Sequence, residues 1–452
     1  MLGLGLGMGA VQTLPLARYS LGGKAPAVVA DPVAGVYGLG GRAVGFDSLF
    51  TFSRLSAAWT LNALGHWVKV LAGEPRTGHH VWKGGKLVPA GIAVCSEVRT
   101  NLASYSEDLA SWSIENNVTV TPQGTLGGIP SFLLSDQTDD YGRVSQNLGP
   151  LGEGEFTCQM RVAKTGAKEN AFGLRITFTA DGSTQLSGIS FDAETGAVIN
   201  NWNSSVIERV VQDCGDHWHV WVSFGTAGIG TNDAKIQVFP AHNRMGGVAA
   251  STLTGDHRCT AIQVNEGRYP QDYIKTEATP VPVASESLQI APSLLSDAFG
   301  GVMPEALAFA VEGFMTYADI DAFSTVRPLR YGESNSPDRI VYELSTNRAD
   351  TGQMYFVQRR GGVQVSSPTG DTDKAPGLAV PFNYASRHIP SEFEGYSDGV
   401  ETPSIAHDGL PQVLNNILYL AATGDLCITR FRIWAGTVDE VPTSAELQEA
   451  TS

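Results

Sequence analysis

Alternation of apolar and polar residues dominates residues 101–277 and predicts β-strands there. Short runs in which every second residue is apolar are separated by turn-forming sequences such as ADGS and DAETG. This pattern is typical of antiparallel sheets with one buried face. The predicted strands cover 118–122, 142–148, 155–163, 172–180, 186–193, 217–224, 234–241 and 260–267. We therefore predict an antiparallel β-sandwich of the jelly-roll type for residues 101–277.

A second strand-rich block covers residues 294–452. Its apolar runs include EALAFAVEGFMTY, RIVYELST, QMYFVQRRGGVQVSS, NNILYLAAT and CITRFRIWAG, and it predicts a second sandwich. Near its end, Thr443 and Ser444 are candidate N-caps and Glu446 follows them, so we expect a closing helical turn. Residues 278–293 contain prolines and small polar residues and are interpreted as a linker.

The first hundred residues show a different pattern. Residues 1–45 are rich in Gly, Ala, Val and Leu, carry almost no charge and have neither a helical nor an alternating period. We interpret them as an extended arm that becomes ordered against other subunits. Residues 46–100 contain two short alternating stretches between Gly-rich turns and predict a small β connector.

Length and composition agree with an all-β, multidomain chain. The 452 residues exceed what one hydrophobic core usually supports. With 51 Gly, 23 Pro and only 17% charged residues, short strands joined by tight turns are favoured over long helices. We predict two antiparallel sandwiches preceded by the N-terminal arm.

Charge and cysteine usage narrow the function classes. A net charge of -16 argues against nucleic acid as a partner, because such proteins present clustered Lys and Arg to the phosphates. The five cysteines are far apart and form no CxxC pair, so neither a disulfide framework nor a zinc finger is expected. The N-terminus lacks a basic region before its short apolar stretch, and no run of about 18 apolar residues occurs, so we expect neither a signal peptide nor membrane insertion.

Three ordered motifs resemble a set found in tail-fibre and minor structural proteins of tailed bacteriophages. The stretch FTFSR precedes EVRTNLASYSED, and EGRYPQDYIKTE closes the first predicted sandwich. The residues that match the opening and closing motifs are Arg99, Thr100, Asn101, Leu102, Tyr105, Ser106, Glu107, Asp108, Glu266, Gly267, Tyr269, Pro270, Tyr273, Ile274 and Thr276. The resemblance covers residues 46–452 and is weaker in the second block; the N-terminal arm falls outside it.

The resemblance implies a fold and a function. FDAETGAV and DCGDHWHVWVSF resemble late strands of a carbohydrate-binding-module-like jelly roll, and the C-terminal block resembles concanavalin A-like or laminin-G-like domains. It implies a virion protein, a tail-fibre or peripheral tail subunit that attaches to the host surface, has no catalytic activity and binds glycan. The implied partners are other virion proteins through the arm, further copies of the chain in an oligomer such as a trimer, and a host cell-surface glycan. The alternatives are a tail-borne polysaccharide hydrolase or lyase, a purely structural head or tail decoration protein, and a cellular secreted lectin.

Candidate chemistry in the sequence is sparse. GLGMGA (Gly5, Gly7, Ala10) meets a relaxed dinucleotide fingerprint but has neither the preceding strand nor the following helix that a cofactor site needs. Cys214, His217 and His219 have a spacing that could supply three zinc ligands; the favoured interpretation is that the histidines face solvent while Trp218 points into the core. We expect no cofactor and no metal.

Acidic pairs are a weaker signal. Asp319 with Asp321, and Asp371 with Asp373, could ligate calcium, but solvated loop carboxylates are favoured. The spacing of acids along a sandwich also says nothing about the distance between two catalytic carboxylates.

Aromatic residues in irregular stretches are the remaining candidates, because sugar faces stack on exposed Trp and Tyr rings. The candidate glycan-binding residues are Trp202, Tyr384, His388 and Tyr396, all expected to be exposed. In contrast, Trp218, Trp221 and Trp434 lie in alternating strands and are expected in the cores.

Overall fold

The chain folds into antiparallel β-sheets distributed over two units. The computed structural model describes residues 16–138, 140–166, 171–180, 182–200, 202–226, 232–242, 254–319, 325–347, 349–369 and 374–452. Unit 1 combines Met1–Ser53, Ala90–Ser96 and Glu286–Ser452, and unit 2 combines Arg54–Pro89 and Glu97–Ser285. The predicted all-β class with antiparallel sandwich modules is confirmed.

The strands and helices are numbered in chain order. Up to residue 96 they are β1 Val28–Asp31, β2 Val36–Leu39, β3 Arg42–Ala43, α1 Phe46–Leu49, β4 Thr51–Ser53, β5 Ala58–Leu61, β6 Trp67–Val70, β7 Arg76–Lys83 and β8 Lys86–Cys95. Then come β9 Arg99–Asn101, β10 Ser113–Glu115, β11 Val118–Leu126, β12 Ile129–Asp136, β13 Arg143–Gly149, β14 Glu155–Gly166, β15 Phe172–Ala180, β16 Ser183–Phe191, β17 Val198–Asn200, β18 Val206–Asp213, β19 His217–Gly225, β20 Asn232–Phe239, β21 Gly255–Glu266 and β22 Val281–Val283. The last group is β23 Ser287–Ile290, α2 Pro292–Ala298, β24 Ala306–Tyr317, β25 Thr325–Tyr331, β26 Arg339–Ser345, β27 Met354–Arg360, β28 Val363–Pro368, β29 Gly377–Ile389, β30 Glu392–Ser397, β31 Val400–Glu401, β32 Ile405–Ala406, β33 Leu418–Thr423, β34 Asp425–Gly436 and α3 Ser444–Thr451. Short 3-10 helices cover Leu16–Tyr19 and Leu109–Ser111.

Unit 2 is a sandwich of two sheets. Sheet I has the strand order β10-β13-β20-β15-β16-β17, and sheet II has the order β11-β12-β21-β14-β19-β18. Leu174 and Ile176 of sheet I share one buried apolar core with Met160 and Val162 of sheet II. Because side chains alternate along a strand, the residues between these core positions face outward.

Unit 1 is a second sandwich. Sheet III has the order β3-β2-β1-β34-β24-β29-β30-β31, with β8 beside β34 and β32 beside β30. Sheet IV has the order β28-β27-β26-β25-β33-β23-β4. Phe309 of sheet III and Tyr342 and Phe356 of sheet IV belong to the same core. The other face of sheet III packs through Trp434 and neighbouring alanines against Leu447 of α3.

Residues 28–43 are predicted to be part of an extended arm, but the structure places them in sheet III. Strand β1 pairs antiparallel with β34, with Val28 opposite Ile433, and β2 and β3 continue the sheet. Val28 and Val29 are buried, so this apolar segment is a sheet component. The predicted connector and linker also lie within the units: residues 46–100 contribute to both, and Ser287–Ile290 of the linker is β23 of sheet IV.

The C-terminal helix follows the sequence prediction closely. Thr443 is the N-cap of α3, and a capping box joins its side chain and backbone to Glu446. The helix has 8 residues, one turn more than expected. Among the described residues, none of the helices has the length and apolar character needed to cross a membrane.

Candidate functional site

Three of the four predicted glycan-binding residues are buried. Tyr384, His388 and Tyr396 are each 0% exposed, so the expectation that they are accessible is wrong. The sequence around them predicts an irregular stretch, but it forms β29 and β30, whose alternate residues face packed layers. Tyr384 stacks on Phe382, with ring centroids 5.1 Å apart.

His388 belongs to a buried chain of hydrogen bonds in unit 1. Its Nδ1 lies 2.7 Å from Oε1 of Gln358, and its Nε2 lies 2.8 Å from Oγ of Ser386, which also bonds Tyr342. Burial, and then the nearby His407, lower the pKa of His388 to about 3. The ring is therefore neutral at pH 7, and its contacts are those of a buried residue that stabilises the fold.

Trp202 is partly exposed and lies on the outward face of sheet I. Gly173 of β15 and Gly188 of β16 lie under its indole: a Cβ added to either would come 3.1 Å or 2.6 Å from ring atoms. Arg175 and Gly188 are paired across β15 and β16, and the flanking residues Leu174 and Ile189 point into the core. The two glycines therefore let the indole approach the sheet backbone directly.

Further rings surround Trp202. His242 lies 4.2 Å and Phe239 lies 5.6 Å from it, measured between ring centroids. Tyr141, which is 47% exposed, extends the cluster with a centroid 5.8 Å from that of His242. These residues come from the β16–β18 segment, the end of β20 and the loop before β13, which meet over β15.

Arg175 supplies a positive charge beside the rings. Its guanidinium lies 5.1 Å from the centroid of Trp202 and 4.8 Å from that of Phe239. Its Nε donates to Oε1 of Gln237 at 2.9 Å, and the Thr177 hydroxyl donates to the same oxygen at 2.8 Å. Burial, and then the charge of Arg143, lower the pKa of Arg175 to about 10, so it remains charged at pH 7.

Glu115 lies on the same face and is held by cations. Lys235 donates to Oε1 of Glu115 at 2.6 Å, Ser145 donates to the same atom at 2.6 Å, and Arg143 pairs with its other oxygen at 2.5 Å. Burial alone would raise the pKa of Glu115, but these hydrogen bonds and the charge of Arg143 lower it to about 2. Glu115 is therefore ionised across the physiological pH range.

His242 is neutral at pH 7 because burial, and then the positive charge of Arg175, lower its pKa to about 4. Its backbone N–H donates to the carbonyl of Ala171 at 2.9 Å, which fixes the ring beside Trp202. Its Nδ1 is buried without a hydrogen-bond partner among the described residues.

We name this surface the Trp202 face: Glu115, Tyr141, Arg175, Trp202, Phe239 and His242. It combines a partly exposed aromatic ring, a cation and a carboxylate, which is the chemistry that binds the apolar face and the hydroxyls of a sugar. Sequence reasoning found Trp202 and missed the others. The available signal was the pair of outward-facing glycines, Gly173 and Gly188, within otherwise alternating strands.

The residues of the opening and closing motifs, which carry the resemblance to phage proteins, lie away from the Trp202 face, on and beside sheet II. Asn101 is fully buried; its amide donates to the carbonyls of Ile262 and Ile274 and accepts from the N–H groups of Ala103 and Val264. Arg99 and Arg76 both pair with Asp272 of the closing motif. The two motifs thus join the start and the end of the sandwich.

The two histidines considered as zinc ligands, His217 and His219, make contacts within the protein. Nδ1 of His217 lies 2.7 Å from Asp216, and Nε2 of His219 lies 2.7 Å from Gln159. His217 is buried, contrary to the expectation of a solvent-facing ring, whereas Trp218, Trp221 and Trp434 are buried as predicted. Within the described ranges, no three His, Cys, Asp or Glu side chains are grouped to hold a metal ion. Gly5, Gly7, Ala10, Asp321, Asp371 and Asp373 lie outside the described residues.

Unit 1 contains a cavity of about 500 Å³ between β27, β28 and the segment around His407. Gln358, Arg360, Val363 and Asp408 are among its lining residues. The lining contains neither Trp nor Tyr, so it lacks the aromatic surface of the Trp202 face.

Comparisons with known proteins give structural likenesses of low score. No protein-family model matches the sequence, and no curated protein matches it. A Ruminococcus gnavus IT-sialidase CBM40 bound to alpha2,3 sialyllactose is 10% identical and aligns over 33% of this chain and 84% of its own, with a TM-score of 0.26. The CBM22-1-CBM22-2 tandem domain of Paenibacillus barcinonensis Xyn10C is 11% identical and covers 76% of this chain and 99% of its own, with a TM-score of 0.26. Domains LG4-5 of the mouse laminin alpha1 chain are 10% identical and cover 71% and 93%, with a TM-score of 0.24. Scores of this size carry no argument about ligand or activity.

Proposed function

We propose that the chain is a glycan-binding structural protein of a bacteriophage virion and that sugar binds at the Trp202 face. The observation that carries the binding proposal is the partly exposed Trp202 indole, which lies over Gly173 and Gly188 beside Arg175. The indole offers a flat apolar surface to the C–H groups of a pyranose, while Arg175 can donate hydrogen bonds to its hydroxyl or carboxylate groups.

The same face supports binding better than hydrolysis. Glycoside hydrolysis uses two carboxyl groups across the scissile bond, one of which must be protonated to act as a general acid. Glu115 has a pKa of about 2 and is already engaged by Lys235, Ser145 and Arg143. It is therefore a poor proton donor, and we propose a non-catalytic role.

The virion assignment rests on the ordered motifs that resemble tail-fibre and minor structural proteins, and we propose a tail-fibre or peripheral tail subunit that attaches to the host surface. A small open face binds one glycan weakly, so avidity would come from a homo-oligomer, such as a trimer, and from several copies per particle. We propose docking to other virion proteins through the residues that precede Arg18, because residues 28–43 are strands of sheet III.

The binding proposal predicts a selective effect of Trp202→Ala. The purified chain should bind at least one glycan on an array of neutral and acidic oligosaccharides, and isothermal titration with that glycan should show a loss of at least tenfold in the variant. Tenfold corresponds to about 1.4 kcal/mol, a reasonable value for one lost stacking surface. Trp82→Ala is the matched control, since Trp82 is also a partly exposed Trp of unit 2 and lies outside the Trp202 face.

Retention of binding within twofold by Trp82→Ala, with loss in Trp202→Ala, would support the site. Equal binding by both variants, or no glycan bound by the wild-type chain, would reject it. The virion assignment has its own test: mass spectrometry of purified particles made by the genome that encodes the chain should detect it at several copies per particle.

A further inference from the structure

The outward face of sheet IV carries four arginines on three neighbouring strands. Arg327 and Arg330 lie on β25, Arg339 lies on β26 and Arg359 lies on β27. Their neighbours Leu329, Ile340 and Phe356 belong to the core, which places the arginines on the opposite side of the sheet. We name this surface the arginine face: Arg327, Arg330, Arg339 and Arg359.

The arrangement brings like charges together. Arg339 and Arg359 are direct cross-strand partners, a position where like charges repel and destabilise a sheet. Burial, and then the charge of Arg359, lower the pKa of Arg339, and Arg327 and Arg330 add to this effect. The protein therefore maintains a cluster of positive charge that is unfavourable for its own stability.

Carboxylates compensate this cluster only in part. Arg327 pairs with Glu343 at 2.8 Å. Glu333 also lies near the face, but it accepts a hydrogen bond from the Tyr419 hydroxyl at 2.6 Å. In the part of the chain that the structure describes, no carboxylate lies within ion-pairing distance of the guanidinium groups of Arg330, Arg339 or Arg359.

The remaining contacts of these side chains are neutral and hold them in place. Arg330 donates to the Ser334 hydroxyl at 2.8 Å, Arg339 contacts Gln364 at 3.4 Å and Arg359 donates to the carbonyl of Gly362 at 3.0 Å. Val341 and Val357 occupy outward positions between them and are only 2% and 3% exposed, as expected where long arginine stems cover them. The face is thus a cationic surface whose arginines are held by hydrogen bonds.

We propose that the arginine face binds an acidic polysaccharide, with carboxylate groups of successive sugars pairing with Arg330, Arg339 and Arg359. Guanidinium groups suit carboxylates because their donors form a planar fork. A polysaccharide is favoured over nucleic acid because the chain has a net charge of -16, which repels the dense charge of about one phosphate per 1.7 Å of duplex. The guanidinium of Arg330 lies 4.2 Å from the centroid of the Tyr419 ring and occupies one of its faces, which removes that face from base stacking.

The test uses fluorescein-labelled polygalacturonate, labelled neutral dextran and labelled duplex DNA with the full chain. Fluorescence anisotropy should show binding of polygalacturonate that weakens at least tenfold between 50 and 200 mM salt, because the contacts are ionic and the screening length falls from about 14 Å to about 7 Å over this range. Dextran should not bind. The double variant Arg339→Gln with Arg359→Gln should weaken binding at least tenfold.

A matched variant with the same change in net charge is Lys69→Gln with Lys86→Gln, two exposed lysines of unit 2. It should bind within twofold of wild type. The arginine variant should also melt at the same or a higher temperature, since it relieves like-charge repulsion; a lower melting temperature would contradict the claim that the cluster is unfavourable for stability.

Three outcomes would overturn the proposal. Equal weakening by the lysine variant would show that only overall charge matters, and tighter binding of DNA would assign the face to nucleic acid. If Trp202→Ala abolished polygalacturonate binding while the arginine variant retained it, the ligand would lie on the Trp202 face, and the binding proposal made there would stand without this one.

Discussion

The outward faces of the two sheets of unit 2 differ in solvent exposure, although both sheets have six strands and share one core. Sheet II presents Thr157, Gln159, Ser223, Gln263 and Asn265, and all five are buried. Residues 267–272 cover them with backbone carbonyls: Thr157 bonds Gly267, Ser223 bonds Arg268, and Gln159 and Gln263 bond Gln271. Sheet I presents the partly exposed Trp202 face.

This difference separates structural polar residues from candidate binding residues. On sheet II these five polar side chains have partners within the chain, so no ligand is needed to explain their burial. On sheet I, Tyr141 is 47% exposed. Among the described residues, Nδ1 of His242 has no hydrogen-bond partner and Arg175 has no carboxylate within ion-pairing distance. The motif residues therefore have a role in the fold, and the candidate binding residues lie on the open face of sheet I.

The largest expected effect is on the covered face. Asp272→Asn should lower the free energy of unfolding by about 3 to 5 kcal/mol, because it removes the carboxylate that pairs with the buried guanidinium groups of both Arg76 and Arg99. Chemical denaturation monitored by fluorescence measures the change. Glu153→Gln, at an exposed acid of the same unit, should change it by less than about 0.5 kcal/mol. Equal stability of Asp272→Asn and wild type would show that the covered face does not depend on this carboxylate.

The pH dependence of stability tests both faces, because each contains a histidine whose pKa is lowered. The pKa of His219 on sheet II is about 3, lowered by burial and then by Arg161, and the pKa of His242 is about 4. Between these values and the ordinary pKa of about 6.5, the unfolded chain binds more protons than the folded chain, so stability falls as the pH falls. Each histidine should contribute a loss of about 2 kcal/mol between pH 7 and pH 4.5.

Denaturation curves at the two pH values measure this loss. His219→Gln and His242→Gln should each reduce the acid-induced difference, whereas His66→Gln, at an exposed histidine, should leave it unchanged. If neither of the first two variants alters the difference, the acid sensitivity has another origin.

The smallest effect on stability concerns the open face. Gly173→Ala places a methyl group 3.1 Å from the Trp202 ring and 3.3 Å from Cβ of Phe239, so the ring must shift by a fraction of an ångström. We expect a change in unfolding free energy below about 1 kcal/mol and a threefold to tenfold loss of glycan affinity. Gly152→Ala is the control, because its added Cβ meets no atom within 4 Å. An unaltered affinity in Gly173→Ala would mean that ligand binding does not depend on the position of the Trp202 ring against Gly173.

Much of the fold could be predicted from the sequence because the strands of both units alternate clearly. EFTCQMRVA and FGLRITFTA lie in β14 and β15, and the capping residues Thr443 and Glu446 identify α3. The role of residues 28–43 could not be predicted, since both faces of β1 are buried and its sequence therefore has no alternation.

The candidate site was only partly predictable for a related reason. The turn-like context of Trp202 suggested exposure. Tyr384 and Tyr396 also lie in sequence without a clear alternation, but they belong to strands with two covered faces. Arg175, Phe239 and His242 gain their role only from strand pairing between β15 and β20, which joins residues about 60 positions apart. No local pattern encodes that proximity.

The pairing of β1 with β34 also determines when this part of sheet III can form during synthesis of the chain. Val28 faces Ile433, so the first strand leaves the ribosome about 400 residues before its partner. At about 5 to 20 residues per second, the delay is of the order of 20 to 80 seconds. During that interval the whole of residues 97–285 emerges and has time to fold. Strand β1 can pair with β2 at once, but its other edge waits without β34, so ribosome-associated chaperones have a defined early segment to protect.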